Sequence, residues 1–597
     1  MNDHRKNIPE SRTRLIKYVS PIFLIILLLF VITTEEKTPD YEGRPDLSDE
    51  DKEYLISVAY LAIEDFDGEN ETERRWPERF DGVDNRVYVV LRSNGRRLGS
   101  WYTRRNNLAS TVYHATIENL NNGIASSRNI QVHIFVMGGY KPLDDGFERG
   151  IHGLRFEAGS RGANYYSAYA IEGNYSTERL MARLCDKAEL EDGCYKDPSV
   201  DKYYFDTLHF ATTRFSDEVV TFYRGNTVDF EPDVTADELR YSLDLATNWL
   251  LDNFEDDGRF VYAYSPSSGE YSTNNNMVRQ LMASRILAEL SQDDPDLRNL
   301  HRRNLDHIFS HWYLEEGEQG YIYYGGKSKL GAIAMALRTL AHSPFLEEYS
   351  DEAEKLANTI LALQNPDGSL EPWFIEPGYA YDKDYLLTFY SGEAILSLVE
   401  YYLRTSNPVY LDAAVRSQNY YVDKYVTHLS ENYYPAYVPW HTQSLSALFK
   451  ITGDDEYADA IFVLNDELLK IMNQTGEPYP DLLGRFYDPA HPEYGTPHSS
   501  SDAVYTEGLA YAYEIAGLVG DEEHREKYRQ AGILGVHNLM NLQFRGNNMY
   551  YLQHPERVVG AIRYNVQDNR IRIDTTQHTI DAFIKLLEEF GEEDFTN

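Results

Sequence analysis

Apolar and small residues recur at helical spacing through the second half of the chain, in segments of three to four turns: RQLMASRILAEL, LGAIAMALRTL, GEAILSLVEYYL, HTQSLSALFKI, EGLAYAYEIAGL and HTIDAFIKLLEEF. Each segment follows an aromatic, polar loop and opens on small residues beside an ionisable or amide side chain, as in Ser391-Gly392-Glu393, Trp440-His441-Thr442-Gln443, Tyr505-Thr506-Glu507 and Gln577-His578. Most are preceded by an amphipathic helix that ends in a glycine-containing turn, as at Asp257-Gly258, Asp367-Gly368 and Arg545-Gly546. A repeat of roughly fifty to seventy residues implies helical hairpins. Six of them are expected. Alanine, glycine and serine on the second helix of each pair place it where helices approach closely. The expected fold is an (α/α)6 toroid over residues 235–597, its mouth lined by the tyrosine- and tryptophan-rich loops.

Upstream the period changes. Residues 50–66 and 108–120 are helical in pattern, whereas 86–92 (RVYVVLR) and 130–136 (IQVHIFV) read as strands, the first turning at Ser93-Asn94-Gly95. Strand patterning stops within 222–237, so an α+β domain is expected over 49–222, and the chain is multidomain. At the N-terminus, Arg5, Lys6, Arg12, Arg14 and Lys17 precede the apolar run 19–32 (VSPIFLIILLLFVI). The basic flank stays inside and the residues after the run are exported. The run is short for a span, which needs about 17 to 25 residues, and a signal peptide is the rival reading. With no small-x-small cleavage site after it, residues 1–33 read as a transmembrane signal anchor and 34–48 as a linker. The bulk of the chain is then membrane-anchored and extracytoplasmic.

Composition narrows the function. A formal net charge of -40 excludes a nucleic-acid partner. Tyr occurs 49 times against six Trp, and rigid rings bearing a hydroxyl both stack on and hydrogen-bond sugars. The rival reading of any one tyrosine is packing at the rim. Two cysteines, Cys185 and Cys194, are too few for a cysteine-rich zinc site. No cofactor or metal is expected.

From Gly150, the order GIHGLRFEAGSRGANYYSAYA, YSTERLMARLCDKAEL and VDKYYFDTLHF resembles the AMMECR domain family, named for a protein of the AMME chromosomal region. The resemblance spans about residues 50–222 and implies an α+β fold with a glycine-flanked strand hairpin, a helix and a closing strand. The Leu-Arg-Gly-Cys-Ile-Gly signature of that family stands here as Arg97-Leu98-Gly99-Ser100-Trp101-Tyr102, so no thiol chemistry carries over. Cys185 and Cys194 either close a short disulfide loop in an exported chain, or Cys185 is a buried apolar cysteine matching the helix of the family.

Carbohydrate-active toroids use carboxylate pairs, one group protonating the leaving oxygen and the other activating water. Glu393 and Glu507 are the leading acid/base candidates by their place at inner-helix starts; His441, Asp574 and His578 support them, with Glu371 and Asp502 further off. The rival role of each is a helix cap or a core hydrogen bond. Tyr390, Trp373, Trp440 and Tyr505 are candidate sugar-stacking residues. Arg557, Arg563, Arg570 and Arg572 form a basic cluster in an acidic protein. Arg563 and Arg572 are candidates for holding an anionic group, against internal pairing with Glu556, Asp568 and Asp574. GEAILSLVEYYLRTSNPVYLDAAV, SSSDAVYTEGLAYAYEIAGL and RIDTTQHTI resemble the helical C-terminal domain of glucuronyl carbon-5 epimerases, which implies proton exchange at a uronic acid. Two readings result. One is a hydrolase, lyase or epimerase acting on a cell-surface or extracellular polysaccharide or oligosaccharide. The other is a non-catalytic glycan-binding or assembly protein.

Overall fold

The computed structural model describes residues 46–66, 74–82, 86–122, 129–292 and 294–595. Among them no helix is long and apolar enough to cross a membrane, and the segment read as an anchor, 19–32, lies outside them. The expected fold class is corrected accordingly, to an α+β region followed by a toroid, without the anchor.

The first region is an antiparallel sheet of β1 (Arg86–Ser93), β2 (Arg96–Arg104), β3 (Gln131–Met137), β4 (Lys141–Pro142), β5 (His152–Ala158), β6 (Arg161–Tyr165), β7 (Asp201–Thr213) and β8 (Ser216–Phe222), in the order β2-β1-β3-β7-β5-β6 with β4 and β8 also on β7. Successive strand residues face opposite sides, and both sides of β1 are buried. Val87, Val89 and Leu91 pack under α1 (Asp49–Phe66) and α2 (Leu108–Asn121), while Tyr88 and Val90 join a second core with α3 (Thr177–Lys187). Cys185 on α3 is disulfide-bonded to Cys194.

Among the described residues twelve longer helices follow; two single-turn helices, Tyr169–Glu172 and Leu429–Asn432, are left unnumbered. The outer ones are α4 (Ala236–Asp252), α6 (Pro295–His311), α8 (Ser350–Ala362), α10 (Pro408–Val422), α12 (Asp455–Leu469) and α14 (Glu522–Leu542). The inner ones are α5 (Met277–Leu290), α7 (Leu330–Ala341), α9 (Lys383–Thr405), α11 (Tyr437–Thr452), α13 (Ser499–Val519) and α15 (Ile573–Glu589). Each inner helix packs on the next, and α15 packs back on α5. The ring is closed. The last inner helix takes the first outer helix, α4, as its partner, so the two ends of the region meet. Inner helices are buried all round, as α7 shows with every residue from Leu330 to Ala341 buried. Small residues permit the approach. A Cβ on Gly392 would lie 2.6 Å from Trp440 Cβ, and one on Gly508 3.1 Å from Pro439 Cα.

The outer ring is indexed by one repeated contact. After α4, α8, α12 and α14 the chain reverses so that a left-handed glycine meets the backbone of the following outer helix, α4 following α14 around the ring. Cβ atoms on Gly258, Gly368, Gly484 and Gly560 would lie 2.5, 2.4, 1.9 and 1.9 Å from the carbonyl oxygens of Arg303, Arg416, Leu534 and Leu245. Only glycine satisfies both the backbone angle and the contact.

The α+β region and the ring share a core: Ala211 and Phe222 pack with Trp249, Phe544 and Tyr550. Beside it Arg224 is wholly buried, pairing with Asp481 at 2.5 Å and with Glu148.

Gly560→Ala should cost about 2–4 kcal/mol, the left-handed backbone and the overpacking each contributing. Gly520→Ala, at a helix end with a φ of 76° and no atom within 4 Å of the added carbon, should cost about 1 kcal/mol. Urea unfolding of both variants measures the difference, and equal costs would refute the docking role of Gly560.

Candidate functional site

A cavity of about 480 Å³ opens at the N-terminal ends of five inner helices; α9 already starts at Lys383, so Glu393, expected at a helix start, stands in its third turn. α5 supplies Asn276 and Arg279, α9 Tyr390 and Glu393, α11 Trp440, α13 Ser501 and Tyr505, and α15 Asp574 and His578. The loops ahead of these helices complete the wall with Tyr434, Phe486, Tyr494, His498, Tyr564 and Arg572. The loop-to-helix junctions thus build the site. Aromatic rings dominate it, and helix N-termini favour negative charge there.

One ion cluster orders the wall. Arg279 Nε meets Asp574 Oδ2 at 2.7 Å, and Arg572 grips the same carboxylate through Nε and through NH2 at 2.6 Å. Burial works to raise the Asp574 carboxyl, but the two guanidinium groups overcome it and hold it well below the usual carboxylate range. Two cations thus share one anion. Arg279 also donates to Tyr262 Oη at 2.7 Å, and Arg572 lies over the Tyr564 ring at 5.2 Å.

Glu393 behaves in the opposite way. It is 1% exposed, and its Oε2 has no hydrogen-bond partner. Burial pushes its pKa up to about 8 against the opposing pull of Arg338 and Lys329, so the group is protonated near neutral pH. Gly331 makes room for it, since a Cβ there would lie 2.5 Å from Glu393 Oε2 and 2.4 Å from the Tyr390 ring. Two histidines in the wall are neutral. Burial lowers His578 to about 3 and His498 to about 4. His498 Nδ1 accepts from the Ser501 amide at 3.1 Å, capping α13 and leaving the ring proton on Nε2.

Other candidates fall elsewhere. His441 is buried between Ser391 and Gln418, its ring nitrogens 2.9 and 3.2 Å from their side chains, and burial lowers it to about 3. Glu507 lies outside the cavity wall, and burial, with Asp581 adding to it, raises its pKa to about 8. Asp502 is buried on the Phe486 amide and Asn538. Glu371 pairs with Lys383 at 2.7 Å. Trp373 is buried outside the wall, 5.4 Å from the Tyr381 ring. Arg563 is fully buried, bonded to Asn226 and 4.5 Å over Phe544. Arg570 pairs with Asp568.

Glu507, His578 and Asp581 hold donor atoms within 4.8 Å of one another, a spacing open to a metal ion. Arg285 pairs with Asp581 and lies near Glu507. That guanidinium already supplies the positive charge a cation would bring.

Arg279 and His498 were not singled out from sequence. Arg279 is the third residue of its inner helix, and His498 directly precedes one. Junction position was the signal available for both.

No family model and no curated protein sequence matches the chain. Among solved structures it is similar to a D-mannose isomerase (12% identity, TM-score 0.47, 59% of this chain and 98% of the other). It is similar to the unsaturated glucuronyl hydrolase of Bacillus sp. GL1 (14%, 0.43, 59% and 97%). An uncharacterised protein from Pyrococcus horikoshii aligns with a smaller part (19%, 0.27, 30% and 98%). The chemistry of the site rests on the residues of this chain alone.

Between the ordinary glutamate value of 4.5 and about 8, folded Glu393 holds a proton that the unfolded chain has released. Its contribution is complete at low pH and lost as pH rises through about 8. Glu393→Gln should therefore gain on the wild type by roughly 1 kcal/mol per pH unit across that window and level off above it. Urea titrations at a series of pH values check this, and a pH-independent gap would mean that Glu393 ionises normally.

Proposed function

We propose that the cavity binds an acidic saccharide and that Glu393 gives a proton to it as a general acid, making the chain a carbohydrate-active enzyme. The observation that carries this reading is the coexistence, in one aromatic wall, of a protonated, partnerless carboxyl and a carboxylate gripped by two arginines. Arg279 and Arg572 would receive a substrate carboxylate in place of, or beside, Asp574, because a guanidinium binds such a group through two parallel hydrogen bonds. Trp440, Tyr390 and Tyr505 would stack on the sugar faces. Burial holds the Tyr390 and Tyr505 hydroxyls protonated, as donors.

Hydrolysis by the usual route needs two working carboxyl groups. Asp574, held strongly acidic by two arginines, is a poor base. One protonated carboxyl beside an anion-binding pair suits elimination next to a carboxylate: the neutral His578 imidazole, whose Nδ1 has no hydrogen-bond partner, would take the proton from carbon as the C–O bond breaks, and Glu393 would give its proton to the leaving oxygen. The binding-protein reading draws on the absence of Glu507 and His441 from the wall. The α+β region, read as AMMECR-like, would be an accessory unit, and the Cys185–Cys194 disulfide supports a location outside the reducing cytoplasm.

Uronic-acid oligosaccharides incubated with the protein in deuterated water test the reading by deuterium incorporation and by new unsaturated ends. Glu393→Gln should lower turnover about 10²–10⁴-fold with binding retained, and wild-type activity should fall as pH rises through about 8, where the acid is lost. Arg572→Met should chiefly weaken binding. Near-normal turnover in Glu393→Gln would remove the catalytic role, and saturable binding without turnover in the wild type would leave the binding protein.

A further inference from the structure

Three cations of the α+β region gather over one pair of stacked tyrosines. Arg97 on β2 and Arg183 and Lys187 on α3 are exposed, and among the described residues none of them makes an ion pair, although their neighbours do. Arg92 meets Glu172 at 2.5 Å, and Arg155 pairs with Glu157. In a chain of net charge -40, three cations gathered on one patch, close enough for Arg97 to act on Lys187, make a local concentration of positive charge.

Their floor is aromatic. The Tyr165 and Tyr169 rings stack at 3.9 Å and are 8% and 6% exposed. Lys187 Nζ lies 4.6 Å from the Tyr165 ring, Arg97 5.0 Å from Tyr169 and Arg183 4.7 Å from Tyr175. Arg97 and Arg183 each donate to a tyrosine hydroxyl at 3.3 Å, of Tyr166 and Tyr169, and Lys187 donates to the Asn164 carbonyl at 2.8 Å. These contacts aim the three head groups without discharging them. Aromatic faces attract cations but accept no proton and leave most guanidinium N–H groups open.

We propose that Arg97, Arg183 and Lys187 over the Tyr165–Tyr169 stack form an oxyanion-binding site. Two guanidinium forks and an ammonium match a carboxylate, sulfate or phosphate group, and the buried stacked rings hold the head groups in place beneath it. Although Lys187 as a whole residue is exposed, its ammonium is turned in over Tyr165 and onto the Asn164 carbonyl, and that desolvation first, then Arg97, lowers it to about 8. A bound oxyanion would reverse that shift. None of these residues belongs to the wall of the toroid cavity, so the site stands whether or not the cavity is catalytic.

The test is calorimetric titration of the full chain at low ionic strength with inorganic phosphate and, separately, with polygalacturonate. Saturable binding is expected with at least one of them, weakened at least tenfold in Lys187→Gln and in Arg97→Gln/Arg183→Gln. Binding of both ligands would identify a general oxyanion site, and binding of the polymer alone an acidic-glycan site. No binding of either ligand, or an equal loss in Arg570→Gln, whose side chain is exposed but paired with Asp568, would overturn the proposal. Circular dichroism and a thermal midpoint confirm folding of each variant. Lys187→Glu, reversing one exposed charge, gives a second measure.

Discussion

Closing six inner helices into a ring forces their polar residues out of contact with water, and the behaviour of the site depends on that exclusion. Gly331, Gly392 and Gly508 let the helices approach until neighbouring side chains and backbone touch. Charge left in the resulting interior must be paired or neutralised. Both outcomes occur within a few turns of each other: Asp574 is paired and strongly acidic, while Glu393 is unpaired and retains its proton. A looser ring would admit water and bring both groups back toward ordinary carboxylate behaviour.

Outside the cavity wall the same rule governs a network of buried ions. Arg338 holds Glu400 through two bonds of 2.8 Å, Arg285 holds Asp581 and reaches Glu289 at 2.8 Å, and Glu507 lies among them. These carboxylates outnumber the guanidinium groups near them, so one of them is expected to stay protonated, and the raised value of Glu507 shows the excess. The network ties α5, α7, α9, α13 and α15 together. It is also felt in the site, because Arg338 acts on Glu393 and Arg285 on His578.

Helical hairpins, the closed ring and the position of the mouth were legible in the sequence because glycine turns and small-residue helices recur with one period. Of the side chains at the junctions, the correct subset was not, and the reason is angular. Each residue advances about 100° around a helix. Tyr390 and Glu393, three apart, share a face and both reach the cavity, as do Asp574 and His578, four apart. Trp440 reaches it while His441, one residue on, turns to Ser391 and Gln418. Tyr505 reaches it while Glu507, two residues on, turns toward Arg285. Junction position alone does not specify this phase. For the same reason Arg563 and Arg572, nine residues apart in one loop, end in unrelated places, one under the α+β region and the other in the wall.

The seam between the two regions places buried charge under the same constraint. Residue 224 comes just after the last strand, and its guanidinium is buried against Asp481 in the loop before α13 and Glu148 in the α+β region. Gln567 bonds Arg149 at 2.9 Å, and Asp568 bonds Asn174 at 2.9 Å, from the loop that also carries Tyr564 and Arg572. The α+β region therefore braces, from outside, the loops whose other side chains form the cavity wall. Buried hydrogen-bonded pairs of this kind are weak sources of net stability but strict about geometry, since removing one partner strands the other. Their place at the back of the site-forming loops fits a role in fixing where Arg572 and its ion partner stand, alongside the short antiparallel pairing of Ile571 and Arg572 with Tyr264 and Ala263.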